Sequence, residues 1–477
     1  MNIDKILLDL RSFADSDGEV EIEQTGQVVL TKGGELISFQ LKEDHSGKIL
    51  VIQDGETMTY FDFLSKKIAK LDLFAQRIIE KRTGVEPFID GPALLTTPWN
   101  KKAESALKLL EIECRDFLFS GTKVSFITAD AGHGKTALLK QFQYVQAQKY
   151  LKGESSFIFW HVDLQGRDLV RLAEAIMYDL GELRITGLFF PSILTLLRNK
   201  HIVLAIDGFD ELAAEIGGDS ALGALSSLVV QMEQSGTLIA ASRRTFFDTQ
   251  DYLKRASFLK GKISQECVFN EIKIKDWNKD EAIEYLSYHF DKPEDVYKEM
   301  LLELQNNGNH PVLCRPFLLT KMVDGAQLSQ ISLSEFMKGV EYGSEGVASV
   351  VESFTKREVT KWKDRDKVTG MPYLSYEQHI ELLSTIAREM WENQKDTISI
   401  EEIEFWGTLL MDNWEIQEGK KPLILRMLKS HALLIPPSED KPNIRKFDHE
   451  EFKNYFLARS FASTLNNSVQ KKENKEI

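Results

Sequence analysis

The chain has 477 residues, 43% of them hydrophobic, and a formal net charge of −14. A chain of this length is too long to fold around one hydrophobic core of ordinary size, and it predicts about two to four domains. The acidic balance disfavours a general binder of nucleic acid or anionic membranes, although a local basic patch stays open. Three cysteines without paired spacing, an N-terminus unlike a signal peptide and no spanning apolar segment predict a cytoplasmic protein without disulfides, a zinc site or a membrane span.

Residues 1–90 carry the signals of a small α+β domain. A short amphipathic helix, Ile3 to Phe13, precedes β-type runs between Val20 and Tyr60. Glycine-rich pairs between these runs indicate hairpins and therefore an antiparallel sheet. A helix with one apolar face follows from Leu64 to Ile79. We find no catalytic constellation in this domain, and its docking of a partner stays an open alternative.

A linker rich in proline and glycine, residues 84–98, precedes a predicted helix from Lys101 to Phe119. The apolar run from Val124 to Ile127 then predicts a buried strand, and the residues from Ala137 onward have helical periodicity. Between strand and helix lies a loop made of Ala129, Asp130, Ala131, Gly132, His133, Gly134, Lys135 and Thr136. Strand, glycine loop, Gly-Lys-Thr and helix together are the context of a phosphate-binding loop.

The chemistry of this loop is specific. Gly132 and Gly134 let the backbone turn its N–H groups onto a polyphosphate at the start of a helix. Lys135 is expected to reach the outer phosphates, and the Thr136 hydroxyl to hold Mg²⁺. The first position of the pattern holds Ala129 instead of glycine, a small residue that should still fit. The alternative is a chance glycine-rich turn.

Acidic residues follow a later apolar run. Two buried strands are predicted, from Phe157 to Asp163 and from His201 to Ile206, and the second ends at Asp207. A carboxylate at the carboxyl end of a parallel strand can hold Mg²⁺ opposite the phosphate loop. Asp210 and Glu211 can then orient or deprotonate the attacking water. A solvated acidic turn is the alternative, but beside the phosphate loop we predict a P-loop protein that binds ATP or ADP with Mg²⁺.

A further strand, Thr237 to Ala241, leads to Arg243, which is placed to sense or neutralise the γ-phosphate. Taken alone, this arginine would be a solvated strand end. Strands alternating with helices over residues 95–270 predict an α/β fold with a doubly wound parallel sheet, the nucleotide lying at its carboxyl edge.

The chain is helical from Lys275 onward. We predict a helical domain over 271–345 and a second one over 346–465, with helices capped by Ser375 and Ser399. A β-wing over 434–446 and a helix from 450 to 465 close this second domain in the manner of a winged helix. Residues 466–477 are expected to form a polar, frayed tail. No internal repeat is evident.

These motifs resemble the STAND class of signal-transduction ATPases, in its NACHT-like branch. The resemblance rests on the phosphate loop, on Asp-Gly-Phe-Asp-Glu at 207–211, on Ala-Ser-Arg at 241–243 and on the segments 315–320 and 445–458. It covers residues 95–465 and implies that Ala137 joins the phosphate loop in contacting the nucleotide. It also implies that Pro316 lies against the base and that His449 contacts the β-phosphate of ADP. The alternative for His449 is local packing at a helix N-terminus.

The resemblance implies a switch in which ADP holds the protein closed and ATP opens it for self-association into an oligomer. In bacteria such proteins often serve in antiviral defence. No effector or repeat sensor is recognisable, so that role falls to a separate protein partner or to the N-terminal residues. Two other functions stay open: an ATP-gated regulator that binds DNA through its winged helix, and a metabolic kinase. Nucleic-acid binding is disfavoured because Lys453 and Arg459 of the last helix lie among acidic residues.

Overall fold

A computed structural model describes most of the chain. The described residues are 3–15, 20–22, 26–115, 121–130, 132–164, 172–209, 218–232, 235–243, 267–303, 310–329, 332–333, 345–362, 370–429, 431–437, 443–448 and 450–473. Over these residues, none of the helices combines the length and the apolar character that crossing a membrane requires.

The N-terminal region forms an antiparallel sheet with helices, as the hairpin signals predict. Its strands lie in the order β1-β2-β3-β4-β5. The elements are α1 (Ile3–Arg11), β1 (Val20–Ile22), β2 (Gln27–Lys32), β3 (Glu35–Glu43), β4 (Ile49–Gln53), β5 (Glu56–Thr59), α2 (Tyr60–Asp62), a π-helix (Phe63–Ile68) and α3 (Leu71–Lys81). The single helix predicted from Leu64 to Ile79 is wrong, because the backbone is left-handed at Lys70, with φ of 51°.

The central sheet is dominated by parallel strands, which confirms the predicted α/β class. Its elements are β6 (Pro92–Thr96), β7 (Lys101–Ser105), α4 (Ala106–Arg115), β8 (Thr122–Ala129), α5 (Lys135–Leu151), β9 (Ile158–Asp163), α6 (Leu172–Glu182), α7 (Phe190–Arg198), β10 (Ile202–Asp207), α8 (Gly218–Gln231), β11 (Gly236–Arg243) and β12 (Cys267–Ile274). The order is β7-β6-β12-β8-β11-β10-β9. Strands β12, β8, β11, β10 and β9 run parallel to one another, whereas β6 and β7 are antiparallel additions at one edge.

Both faces of this sheet are buried, which explains the near-continuous apolar runs in its strands. On β10, Leu204 belongs to the core shared with the N-terminal region, whereas Val203 and Ala205 pack with α4 and α5 on the other face. The N-terminal region and the central sheet therefore share one hydrophobic core. Phe74 of α3 meets Trp160 of β9 edge-to-face, with 5.3 Å between the ring centroids.

The helix predicted from Lys101 to Phe119 is wrong over its first five residues. Residues Lys101–Ser105 form β7, which pairs antiparallel with β6, and the helix begins only at Ala106. The sequence of β7 favours a helix, but its pairing with β6 overrides local propensity, as is common for edge strands. Residues 116–120 lie outside the described part.

The C-terminal half is mainly helical, with a small sheet. Its elements are α9 (Lys279–Ser287), α10 (Pro293–Glu303), α11 (Pro311–Cys314), α12 (Pro316–Ser329), α13 (Glu345–Lys361), α14 (Tyr376–Glu392), β13 (Ile398–Ser399), α15 (Ile400–Asn413), α16 (Lys421–Leu428), β14 (Leu434–Ile435), β15 (Ile444–Phe447) and α17 (Glu450–Glu473). Ser375 and Ser399 cap α14 and α15, which confirms both predictions. Because α17 continues to Glu473, the predicted frayed tail is helical over 466–473.

Candidate functional site

The loop between β8 and α5 has the geometry of a phosphate cradle. Gly132 and Gly134 both have a φ of 86°, a left-handed conformation that favours glycine because a Cβ would clash. Lys135 opens α5, and its Nζ donates to the carbonyl oxygens of Ala129 at 2.7 Å and Asp130 at 3.1 Å. The lysine side chain thus reaches back to the residues at the start of the loop. The partial positive charge of the α5 N-terminus is directed at the loop as well.

Asp207 lies at the carboxyl end of β10 and is almost completely buried. Burial alone would raise the pKa of this carboxyl. Hydrogen bonds from His161 and Thr136, together with the charge of Lys135, outweigh burial and lower the pKa to about 2. The group is therefore an anion at neutral pH, and its Oδ2 is 3.4 Å from Nε2 of His161.

An ionised carboxylate beside a threonine hydroxyl fits Mg²⁺, a hard cation that prefers oxygen ligands. Among the described residues there is no cluster of three or more histidine, cysteine or acidic side chains that could hold a metal alone. A Mg²⁺ ion bound together with a nucleotide usually takes its remaining ligands from the phosphates and water. Asp207 and Thr136 are the residues that would hold the ion.

Arg243 ends β11, where it stands in register with Ala129 of β8. Its guanidinium contacts Glu358 of α13, with NH2 at 2.8 Å from Oε1 and NH1 at 3.4 Å from Oε2. Both side chains are buried. The sequence predicted a phosphate-sensing position for Arg243 and missed its partner, which lies 115 residues further along the chain.

A cavity of about 380 Å³ connects these groups, within the usual range for a small-molecule site. Of the residues predicted to contact nucleotide, metal or γ-phosphate, the cavity wall contains Gly132, His133, Gly134, Lys135, Thr136, Ala137, Asp207, Arg243 and Pro316. Ala129 lies beneath the loop as an acceptor for Lys135. Asp210, Glu211 and His449 lie outside the described residues.

The wall also contains residues that the sequence did not single out. An apolar part comes from the linker and the C-terminal half and includes Val85, Pro87, Phe88, Ile89, Trp277 and Tyr285. Linker and C-terminal half meet at Gly91, where an added Cβ would lie 2.8 Å from Nε1 of Trp277. The proline content of the linker indicated a loop, but Pro92–Thr96 form β6, and no local signal indicated that residues 85–89 close a cavity.

The C-terminal half contacts the phosphate loop directly. The backbone N–H of Phe317, next to Pro316, donates to the carbonyl oxygen of Gly132 at 3.1 Å. The preceding Arg315 forms a buried ion pair with Asp448, the residue before the predicted ADP contact His449. The side chain of His133 contacts Asp276, which follows β12, with Nε2 at 2.7 Å from Oδ1. The cavity is thus built jointly by both halves of the chain.

Residues 123–293 match the family model of the NACHT domain. The chain carries a NACHT domain. The domain begins within β8, contains the phosphate loop and the Asp207 strand, and ends at α10, so the cavity's phosphate end belongs to it. The predicted resemblance is confirmed.

Known structures resemble the chain more distantly. The ORC2 protein of Aeropyrum pernix, in ADPNP–ADP complexes, is 14% identical, with 74% of this chain and 93% of that chain covered and a TM-score of 0.39. The Walker-type ATPase paby2304 of Pyrococcus abyssi is 13% identical, with 74% and 94% covered and a TM-score of 0.41. The Aeropyrum pernix ORC1 protein in complex with DNA is 15% identical, with 76% and 93% covered and a TM-score of 0.37. At such scores these proteins add nothing to the assignment. None of the curated proteins matches the chain.

Proposed function

We propose that this protein is an ATP/ADP-dependent signalling switch that hydrolyses ATP, assembles into an oligomer when active and serves in bacterial antiphage defence with a separate effector or sensor. One observation supports this most strongly. Two parts of the chain line the cavity. The NACHT domain supplies the phosphate loop, and the C-terminal half supplies Pro316, Phe317 and residues of α13. A nucleotide in such a cavity interacts differently with closed and open forms, which is the requirement for a ligand to shift a conformational equilibrium.

The proposal is tested by the mass of the particle in each nucleotide state. Wild-type protein is incubated with Mg²⁺ and either ADP or a hydrolysis-resistant triphosphate, and size exclusion is coupled to light scattering. We expect the resting mass with ADP and a larger assembly with the triphosphate. Equal masses in both states, with both nucleotides shown to be bound, would contradict the switch.

The alternative of DNA binding through the C-terminal region receives little support from the structure. Lys453 of α17, one of the two cations considered for this role, has its Nζ 2.6 Å from Oδ1 of Asp396. A cation already paired with a carboxylate gains less from a phosphate. Salt-dependent binding of duplex DNA would favour this alternative over the switch.

The buried pair between Arg315 and Asp448 predicts a strong effect of Asp448→Asn. The substitution leaves the buried guanidinium without its carboxylate, which typically costs about 3–5 kcal/mol. We expect a lower denaturant midpoint and faster ADP release, measured by urea titration and with a fluorescent ADP. Asp396→Asn, which removes an ion pair whose acid is 90% exposed, is the control and should change neither. An Asp448 variant indistinguishable from that control would show that the pair does not stabilise the C-terminal half around the cavity.

His449→Leu tests the predicted contact with ADP. Removing one charged hydrogen bond of about 1.5–3 kcal/mol should shift the closed-to-open equilibrium by roughly tenfold or more. We expect faster ADP release and assembly without a trigger, in a protein that stays folded. His45→Leu, at an exposed position that does not line the cavity, is the matched control. Wild-type release and a resting mass in the folded variant would exclude His449 as the latch.

A further inference from the structure

One face of α13 is directed at the nucleotide cavity. Phe354, Arg357, Glu358 and Lys361 are spaced by three and four residues, so they share one side of the helix. Arg357 and Lys361 line the cavity. The ring of Phe354 packs against Phe317 at 4.7 Å between centroids and reaches within 3.8 Å of the Cβ position of Gly132. A helix from the C-terminal half thus contacts the phosphate loop and lines the cavity beside it.

Glu358 is the anionic residue on this face. Its side chain is 1% exposed, and its carboxylate accepts hydrogen bonds from Arg243 and, at 3.2 Å, from the indole N–H of Trp362. Burial opposes ionisation, but the charge of Arg243, helped by His431 and Lys361, holds the pKa of Glu358 below its usual value. The group is therefore a buried anion at neutral pH, fixed beside the cavity.

The charged residues around the cavity should favour the binding of a nucleoside diphosphate over that of a triphosphate. Lys135, Arg357 and Lys361 place positive charge along the cavity wall. Arg243, which ends its strand beside the phosphate loop, is bound by Glu358 in this closed arrangement. A third phosphate that draws on Arg243 must displace this carboxylate, and it meets like charge in a poorly solvated space.

We propose that Glu358 is a specificity-determining residue that makes the closed site select a nucleoside diphosphate over a triphosphate. It does so by holding Arg243 and by repelling a third phosphate, while Arg357 and Lys361 balance the charge of the first two. Triphosphate binding and the docking of α13 are then competing events, so a triphosphate favours release of the helix. This inference rests on the proposed function, because it takes the cavity to be the ATP/ADP site.

The test compares the affinities of ADP and of a hydrolysis-resistant ATP analogue for wild type and Glu358→Gln, by calorimetry with Mg²⁺. Glutamine keeps the shape and removes the charge. We expect wild type to prefer ADP and the variant to lose this preference by roughly tenfold, which corresponds to about 1.4 kcal/mol. Glu352→Gln is the matched control, since this acid on the same helix is 46% exposed and pairs with Lys356. Its preference should equal that of wild type.

A merely structural role of Glu358 would weaken both nucleotides alike, so an unchanged preference in the folded variant overturns the inference. Wild type that binds neither nucleotide would instead overturn the proposed function. If Glu358→Gln does not fold, amide hydrogen exchange of residues 345–361 in the wild-type protein decides. We expect faster exchange with the triphosphate analogue than with ADP. Equal protection with both nucleotides bound overturns the inference.

Discussion

Lys135→Ala is expected to abolish measurable nucleotide binding. Lys135 is the first residue of α5, next to the glycine loop, and its proposed contacts with phosphate would be charge-assisted hydrogen bonds of about 1.5–3 kcal/mol each. Losing two such contacts lowers affinity by roughly a hundredfold or more. Thr136→Ala should weaken binding in a Mg²⁺-dependent manner, because its hydroxyl lies beside the carboxylate of Asp207. Calorimetric titration with ATP and ADP, with and without Mg²⁺, measures both effects.

The control for this experiment is on the same helix. Lys140→Ala removes an exposed lysine five residues beyond Lys135, so it changes net charge equally without touching the cavity. We expect Lys140→Ala to bind as wild type does. Unchanged affinity in the Lys135 and Thr136 variants would contradict the assignment of the phosphate loop.

The double substitution Asp210→Asn with Glu211→Gln is expected to leave ATP binding largely intact while slowing hydrolysis by roughly a hundredfold to ten-thousandfold. These acids follow Asp207, the proposed metal-binding residue, and are expected to act on the attacking water; general acid–base assistance has this magnitude. Phosphate release under single-turnover conditions measures the rate.

A pair of acids elsewhere provides the comparison. Glu294→Gln with Asp295→Asn changes the charge equally at exposed positions in α10, and this variant should hydrolyse ATP at the wild-type rate. Wild-type hydrolysis by the Asp210 and Glu211 variant would refute their catalytic role.

The centre of the fold could be predicted because its signals are local. Strands β8, β9, β10 and β11 are buried on both faces, so each contains a largely apolar run. The loop from Ala129 to Thr136 is contiguous, and its glycines stand where the backbone is left-handed. Asp207 was recognisable because a carboxylate at the carboxyl end of a buried parallel strand indicates a ligand-binding site.

The remaining features depend on partners distant in sequence. β7 has a helix-forming composition, and only its pairing with β6 makes it a strand. No pattern near Glu358 indicates that it binds Arg243, because the contact forms only when α13 packs beside the carboxyl end of β11. The N-terminal region likewise contacts the end of α7 through Asp9, whose Oδ2 accepts a hydrogen bond at 2.9 Å from Asn199, 190 residues further along the chain.

The nucleotide carried by freshly purified wild-type protein tests the central claim most directly. The protein is denatured, and the released small molecules are separated by ion-exchange chromatography against nucleotide standards. The cavity formed by the phosphate loop, Asp207 and α13 predicts ADP, in an amount near one per chain that falls to background in Lys135→Ala. A guanine nucleotide, or no nucleotide in a protein that also fails to bind added ADP and ATP, would contradict the account.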